Sequence, residues 1–144
     1  MVVDFLSYGG GVQSTAMILL AIDGKIDRPD HIVFADTGSE MPHTYQLVEK
    51  IKAICDEEGL PFETVKAKAP LHEQYLEDGG LPVIGIRSCT SKWKIEPINR
   101  FMRSIVGMGR GRVLVRTWIG ITTDERRRAT PSTNQWTERR YPLL

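Results

Sequence analysis

Short apolar runs alternate with longer helical patterns along the first half of the chain. Three of the runs have the length and the flanking polar or glycine residues of buried strands. Two segments between them have the length and apolar periodicity of helices. The predicted strands occupy residues 2–6, 31–35 and 62–66, and the predicted helices residues 16–22 and 42–58. This alternation predicts a doubly wound, mainly parallel sheet with helices on both faces.

The second predicted helix has the clearest amphipathic pattern. Leu47, Ile51, Ile54 and Cys55 recur at helical spacing, which predicts a stripe that faces the core. Gly59 follows as a helix stop. Because Cys55 lies on this stripe, we expect it to be a small core residue and not a nucleophile.

The second half of the chain is less regular. A short helix is expected at residues 71–77 and another from residue 97 to residue 103. Residues 113–121 form an apolar run that predicts a further strand. Residues 130–137 are polar and are expected to form a loop.

A turn with three consecutive glycines joins the first predicted strand to the first predicted helix. Glycine allows positive φ and a close approach of the backbone to a ligand. The first turn of a helix has free N–H groups, so this junction predicts a site for phosphate or sulfate. The residues in question are Ser7, Gly9, Gly10, Gly11, Gln13, Ser14 and Thr15. The alternative is an ordinary glycine-rich turn with a serine cap. The run has neither the lysine of a Walker A loop nor the G-x-G-x-x-G spacing of a dinucleotide fingerprint.

An acidic residue closes the second predicted strand. Asp36, followed by Thr37 and Gly38, is expected at the same sheet edge as the glycine turn, because parallel strands end together. Its carboxylate could bind a ribose, an adenine or a metal ion held by phosphates. It could equally cap the loop that follows. The sequence leaves these two interpretations open.

Charge is distributed unevenly along the chain. Residues 1–86 hold 6 basic and 14 acidic side chains, and residues 87–144 hold 13 basic and 4 acidic ones. A basic half in a protein of net charge +1 suggests a polyanionic ligand, with nucleotide phosphates ahead of nucleic acid bound through residues 87–140. The alternative is that these arginines solvate exposed helices.

Composition is that of one soluble globular domain spanning residues 1–144. No apolar run is long enough to cross a membrane and no signal peptide begins the chain, which together predict a cytoplasmic protein. Its two cysteines, Cys55 and Cys89, cannot form a disulfide framework or a metal cluster alone. Because the chain ends on the apolar residues Leu143 and Leu144, we expect that a C-terminal segment is missing.

Four separated stretches resemble the phosphoadenylyl-sulfate (PAPS) reductase family of the PP-loop, or adenine-nucleotide α-hydrolase, superfamily. Residues 6–14, LSYGGGVQS, are similar to its Ser-x-Gly-x-Gln loop, and residues 35–45 to its Asp-Thr-Gly…Pro-Glu-Thr-Tyr segment. Residues 89–100 resemble its Lys-Val-Glu-Pro-Leu-Asn-Arg segment. Residues 118–128 resemble its Gly-Leu-Arg…Glu…Arg segment. The four occur in the family's order.

The resemblance implies an adenosine-nucleotide site at the carboxyl edge of a five-stranded parallel sheet. The glycine turn, from Ser7 to Ser14, would bind phosphate or sulfate, and residues 36–38 would lie near the adenosine. Lys94 and Arg128 would supply positive charge, with Glu125 orienting Arg128. The implied function is that of a sulfonucleotide enzyme of sulfur metabolism.

Departures from the family limit what carries over. The reductases use the cysteine of a C-terminal Glu-Cys-Gly-x-His segment to attack the sulfate sulfur, whereas this sequence has no cysteine after Cys89. Family members with an iron–sulfur cluster have paired cysteines, so no cluster is expected here. Cys89 and Lys94 are therefore the only catalytic candidates. Cys89 stands near Arg87 and Lys92, which would lower a thiol pKa, yet it could equally be an unreactive remnant.

Three functions are consistent with the residues. The first is a PAPS-binding, reductase-like enzyme that takes its thiol from a further segment, a reductant protein or a free thiol. The second is an ATP pyrophosphatase of the PP-loop type, which would need Mg²⁺ and would adenylylate a substrate. The third is a non-catalytic module that binds nucleotide or nucleic acid. A homo-oligomer is compatible with all three.

Overall fold

A computed structural model describes residues 2–67, 91–108 and 111–144. The helix predicted at residues 71–77 and the candidate Cys89 lie outside the described residues. The strands are β1 (Val3–Tyr8), β2 (His31–Asp36), β3 (Phe62–Lys66), β4 (Val115–Trp118) and β5 (Thr137–Arg140). The helices are α1 (Val12–Ile22), α2 (Pro42–Glu57) and α3 (Glu96–Val106); a π-helical turn (Ser91–Ile95) leads into α3, and a 3₁₀ turn (Thr123–Arg128) follows β4.

The five strands form one sheet in the order β3-β2-β1-β4-β5, and every neighbouring pair is parallel. This confirms the predicted doubly wound fold. The chain builds outward from β1 to β3, then crosses over and continues on the other side with β4. Ligands of such sheets bind outside the carboxyl ends of the strands where the order reverses, which here is between β1 and β4.

Helices cover both faces of the sheet. Because successive residues of a strand point to opposite sides, each central strand contributes apolar side chains to the cores on both faces. Leu6 and Trp118 face α1 and α2, together with Ile51 and the buried Cys55 of the amphipathic α2 stripe. Phe5, on the opposite face, packs with residues of α3. The prediction that Cys55 belongs to the core is confirmed.

Two segments near the C-terminus differ from the sequence prediction. The strand expected over residues 113–121 is only Val115–Trp118, because the N–H of Ile121 bonds to the carbonyl of Ile119 (3.1 Å) and turns the chain. The loop expected over residues 130–137 ends in β5. Because β5 is an edge strand of polar residues, its sequence lacks the apolar run by which a buried strand is recognised.

Within the described ranges, no helix has both the length and the apolar character that crossing a membrane requires.

Candidate functional site

A cavity of about 280 Å³ opens where the strand order reverses, at the carboxyl ends of β1 and β4. We call it the glycine-turn cavity. It is lined by Ser7, Gly9, Gly11, Gln13, Ser14, Ile119, Gly120, Glu125 and Arg128. All but Ile119 and Gly120 are among the residues singled out from the sequence, so the fold brings three distant stretches of the chain to one place.

The first turn of α1 presents backbone donors at this cavity. The earliest helical bond runs from the N–H of Thr15 to the carbonyl of Gly11 (3.1 Å). The N–H groups of residues 12–14 precede it and have no carbonyl partner within the helix, as at any helix start. Ser14 is nearly buried, and its hydroxyl accepts the N–H of Gly9 (3.4 Å). The turn therefore directs partial positive charge at the cavity.

Gly10 shapes the turn and does not line the cavity. Its φ is +76°, and a Cβ there would lie 2.8 Å from Cγ2 of Thr44 in α2. Both observations require glycine. A Cβ on Gly9, by contrast, would meet nothing within 4 Å, and one on Gly11 would approach only the side chain of Gln13, at 3.9 Å. The outer glycines thus leave open space beside the backbone.

Gly120 brings the segment after β4 against the start of α1. A Cβ at this position would lie 2.9 Å from the backbone N of Ser14 and 3.0 Å from Cβ of Gln13. Only glycine allows this contact, which closes the glycine-turn cavity on the β4 side. Sequence reasoning quoted Gly120 within a matching stretch but gave it no role. The available signal was a glycine just past the carboxyl end of a strand.

A cation and a carboxylate meet at the rim of the cavity. Arg128 donates to Oε1 of Glu125 at 2.8 Å across the 3₁₀ turn, and more than half of the Arg128 side chain is exposed. The hydroxyl of Thr122 donates to Asp124 at the start of this turn and lowers the pKa of that carboxyl group. The guanidinium keeps further N–H donors for an anion.

Asp36 lies at the end of β2, where its carboxylate is bonded within the protein. Oδ1 accepts the N–H of Gly38 (2.8 Å) and the hydroxyl of Tyr45 (2.7 Å). Oδ2 lies 3.7 Å from Nζ of Lys66. Burial, and next the bond to Asp36, raises the pKa of Tyr45. Asp36 therefore caps the loop that follows it, which is one of the two roles that the sequence left open.

Thr37 and Lys94 meet at Glu40. The buried Thr37 donates its hydroxyl to Oε1 of Glu40 (3.2 Å), and Nζ of Lys94 lies 3.7 Å from the same oxygen. With Asp36, Tyr45 and Lys66 these side chains form what we call the β2-end cluster. None of the predicted residues Asp36, Thr37, Gly38 and Lys94 is among those that line the glycine-turn cavity. Their contact with a ligand stays a prediction.

Thr15 also has partners inside the protein. Its hydroxyl donates to the carbonyl of Gly11 (2.7 Å) and pairs with the hydroxyl of Tyr8 (3.0 Å). Burial raises the pKa of Tyr8. Thr15 thus fixes the first turn of α1 and does not line the glycine-turn cavity, and its contact with a ligand is likewise still a prediction.

Cys55 has the environment of an unreactive thiol. Its side chain is buried in the core, and burial raises its pKa to about 11. A thiol that stays protonated is a poor nucleophile. The other cysteine, Cys89, lies outside the described residues. Among the described residues, no three His, Cys, Asp or Glu side chains are grouped so that they could hold a metal ion.

The fold and the cavity define a class: an α/β domain with a cavity beside a helix start at the switch point of a parallel sheet. The sequence profile of the phosphoadenosine phosphosulfate reductase domain matches residues 4–120. The chain belongs to that family, as the resemblance of the four stretches indicated.

Two individual relatives are similar over much of the chain, and the name of one of them belongs to this family. The chain is 26% identical over 152 residues to the nin region protein ORF290 of Escherichia phage lambda, which covers 90% of this chain and 51% of the phage protein. It is 30% identical over 96 residues to adenosine 5′-phosphosulfate reductase 2 of Bacillus subtilis, which covers 66% of this chain and 40% of that protein. The chain thus spans about half or less of these relatives.

A solved structure supports the fold. The phosphate complex of phosphoadenylyl-sulfate reductase from Candida auris superposes with a TM-score of 0.67 over 99% of this chain and 66% of that chain. The two sequences are 14% identical. The arrangement of strands and helices is therefore shared although most side chains differ.

Proposed function

We propose that the chain binds an adenosine nucleotide of the sulfonucleotide type, with the anionic end of the nucleotide in the glycine-turn cavity. The observation that carries this proposal is the convergence of the first turn of α1 and Arg128 on one cavity at the switch point of the sheet. Free N–H groups and a guanidinium are the donors that bind phosphate and sulfate most strongly.

Each group has a distinct part in this proposal. The N–H groups of residues 12–14 can donate hydrogen bonds to the anion, and the partial positive charge of the helix start stabilises its negative charge. Ser7 and Ser14 also line the cavity, and a hydroxyl can donate to an anionic oxygen, although that of Ser14 lies 3.5 Å from the carbonyl of Gly11, to which it donates. Among the described residues that line the cavity, Arg128 supplies the one full positive charge, and it is held in place by Glu125. Gly9 and Gly11 let the anion approach the backbone.

Reduction of a sulfonucleotide further requires a thiolate to attack sulfur. Cys55 does not serve, because burial holds its pKa at about 11. We propose that the thiol is supplied by Cys89, by a further segment or by a separate thiol reductant. This domain would then bind and orient the nucleotide.

Isothermal titration calorimetry tests the binding proposal. Adenosine 3′,5′-bisphosphate is expected to bind and to raise the melting temperature of the protein, because a ligand of the native state stabilises it. If neither this nucleotide nor ATP gives binding heat or a shift in melting temperature, the proposal is contradicted. Rapid release of pyrophosphate from ATP with Mg²⁺ would instead identify an ATP pyrophosphatase. Salt-sensitive binding to RNA or DNA with no nucleotide binding would identify a nucleic-acid module.

A further inference from the structure

A chain of two hydroxyl groups supports the glycine turn from inside the core. The Tyr8 hydroxyl lies 3.0 Å from Oγ1 of Thr15, which lies 2.7 Å from the carbonyl oxygen of Gly11. Because a carbonyl oxygen can only accept, Thr15 donates its single hydroxyl proton to Gly11. Thr15 then has only lone pairs to offer Tyr8, so Tyr8 is the donor. The two bonds therefore run in one direction, from Tyr8 through Thr15 to Gly11.

The ring of Tyr8 gives this chain a fixed origin. Tyr8 is the last residue of β1 and is buried. Its ring packs against Phe34 of β2, with 6.1 Å between the centroids, and against Phe62 of β3, at 6.0 Å. Close packing holds the ring in place, and with it the position of the hydroxyl beneath the first turn of α1. A phenylalanine ring would pack in the same way, so the packing alone does not account for the hydroxyl.

The bonds to Gly11 set the direction of a donor on the opposite side of the same peptide unit. The carbonyl of Gly11 accepts the N–H of Thr15 (3.1 Å) and its hydroxyl (2.7 Å), and the hydroxyl of Ser14 lies 3.5 Å away. In a planar trans peptide the C=O and the N–H point in opposite directions. A carbonyl held along α1 thus directs the N–H of Val12 outward, between Gly11 and Gln13, which both line the glycine-turn cavity.

An anchor of this kind matters because the turn consists of glycines. Gly10 is fixed by its positive φ and by the close approach of Thr44. Gly11, in contrast, has φ −90° and ψ 176°, an extended conformation that a glycine leaves easily because it has no Cβ. The orientation of the peptide unit that follows Gly11 therefore depends on what its carbonyl oxygen bonds to.

We propose that Tyr8 is a positioning residue for the anion site: through Thr15 it holds the peptide unit between Gly11 and Val12 so that the N–H of Val12 points at the anion. The inference rests on the proposed function and assigns a role to a hydroxyl that does not line the glycine-turn cavity. A donor that is oriented before binding contributes more to affinity than one that must be ordered by the ligand. Donation from Tyr8 also polarises the Thr15 hydroxyl and strengthens its own bond to Gly11.

A double-mutant cycle on Tyr8→Phe and Thr15→Val tests the proposal by calorimetry with adenosine 3′,5′-bisphosphate. Tyr8→Phe is expected to weaken binding about fivefold and Thr15→Val at least as much. The double variant should bind as Thr15→Val does, because both hydroxyls act through one carbonyl. Thr15→Ser keeps the hydroxyl and should stay within about twofold of the unaltered protein. Tyr45→Phe removes a half-buried hydroxyl from the β2-end cluster and, as the control, should also stay within about twofold.

The amide signal of Val12 separates positioning from a general effect on folding. In ¹⁵N-labelled protein saturated with adenosine 3′,5′-bisphosphate, the Val12 amide proton is expected to move downfield, and to move less in Tyr8→Phe. If Tyr8→Phe lowers only the urea midpoint of unfolding and keeps both the affinity and the Val12 shift, the inference is overturned and the proposed function stands. Losses of affinity that add up in the double variant would also overturn it. If the unaltered protein binds no nucleotide, both fail.

Discussion

The two sides of the carboxyl edge of the sheet are both rich in polar residues but use them differently. In the β2-end cluster, Asp36 bonds to Gly38, Tyr45 and Lys66, and Glu40 bonds to Thr37 and Lys94. On the β1–β4 side, the glycine-turn cavity faces the first turn of α1, whose N–H groups precede the earliest helical bond.

This difference separates a polar cluster that holds the fold from one that can hold a ligand. A ligand that binds the β2-end cluster must first break bonds that already satisfy the carboxylates. A ligand in the glycine-turn cavity meets backbone N–H groups at the start of α1 that no helical carbonyl accepts, so it gains their hydrogen bonds at little structural cost. We therefore expect changes on the β1–β4 side to alter affinity and changes in the β2-end cluster to alter stability.

The substitution Gly120→Ala should have the largest effect on the β1–β4 side. The added Cβ lies 2.9 Å from the backbone N of Ser14, so the segment after β4 and the start of α1 must move apart. Overpacking of this kind costs about 1–3 kcal/mol, which corresponds to between about fivefold and about 150-fold in affinity for adenosine 3′,5′-bisphosphate if the strain falls on the site. Calorimetry and urea unfolding measure the two effects.

Gly9→Ala is the matched control for stability, since its Cβ would meet nothing within 4 Å. It should unfold at the same urea concentration as the unaltered protein. If Gly120→Ala is also neutral in both measurements, the close approach of the two segments does not shape the cavity.

Removal of the rim cation is the next largest change. Arg128→Gln should weaken binding of adenosine 3′,5′-bisphosphate about tenfold, because a charge-assisted bond to the anion is lost. Arg127→Gln removes the same charge from an exposed neighbour that does not line the glycine-turn cavity, and should leave affinity within about twofold. Equal losses in the two variants would mean that only the general positive charge of the 3₁₀ turn matters.

Substitutions of Asp36 should lower the stability of the protein and leave its affinity for the nucleotide nearly unchanged. Asp36→Ala removes the acceptor for Gly38 and Tyr45 and should lower the free energy of unfolding by about 1–2 kcal/mol. Asp36→Asn keeps an acceptor oxygen and should recover most of that loss. Both variants should bind adenosine 3′,5′-bisphosphate within about threefold of the unaltered protein. A tenfold loss of affinity in the well-folded Asp36→Asn would show instead that Asp36 contacts the nucleotide.

The pH dependence of Tyr45 gives the smallest expected effect. Its pKa is raised in the folded protein, first by burial and then by Asp36, so the unfolded chain loses this proton first as pH rises. The stabilising contribution is therefore complete below about pH 10 and is lost as pH rises through the folded pKa. Tyr45→Phe should reduce the decline of unfolding free energy above about pH 10, by about 1 kcal/mol or less. An identical decline in the variant would contradict this.

Much of the fold was predictable because it depends on local patterns. The apolar stripe of α2 and the alternation of strands and helices follow from residues that are close in sequence. The strand β5 was missed because Thr137–Arg140 is polar and is defined by its pairing with β4. The turn at Gly10 was predictable as a junction between a strand and a helix from its glycines and the apolar runs on either side.

Other parts of the site depend on contacts between distant residues. Gly120 matters because it touches Ser14, more than a hundred residues earlier, and no local pattern reveals that contact. Asp36 looked like a ligand-binding residue or a cap, and the choice depends on where Tyr45 and Lys66 lie in space. A sequence pattern identifies which residues carry polar groups, whereas the three-dimensional structure decides which of those groups remain unpaired.

Backbone amide shifts test the central claim most directly. In ¹⁵N-labelled protein titrated with adenosine 3′,5′-bisphosphate, the amides of Gln13 and Ser14 are expected to move most, with those of Thr37 and Gly38 nearly unchanged. The largest shifts at Thr37 and Gly38, with Gln13 and Ser14 unmoved, would contradict the assignment of the anion to the glycine-turn cavity.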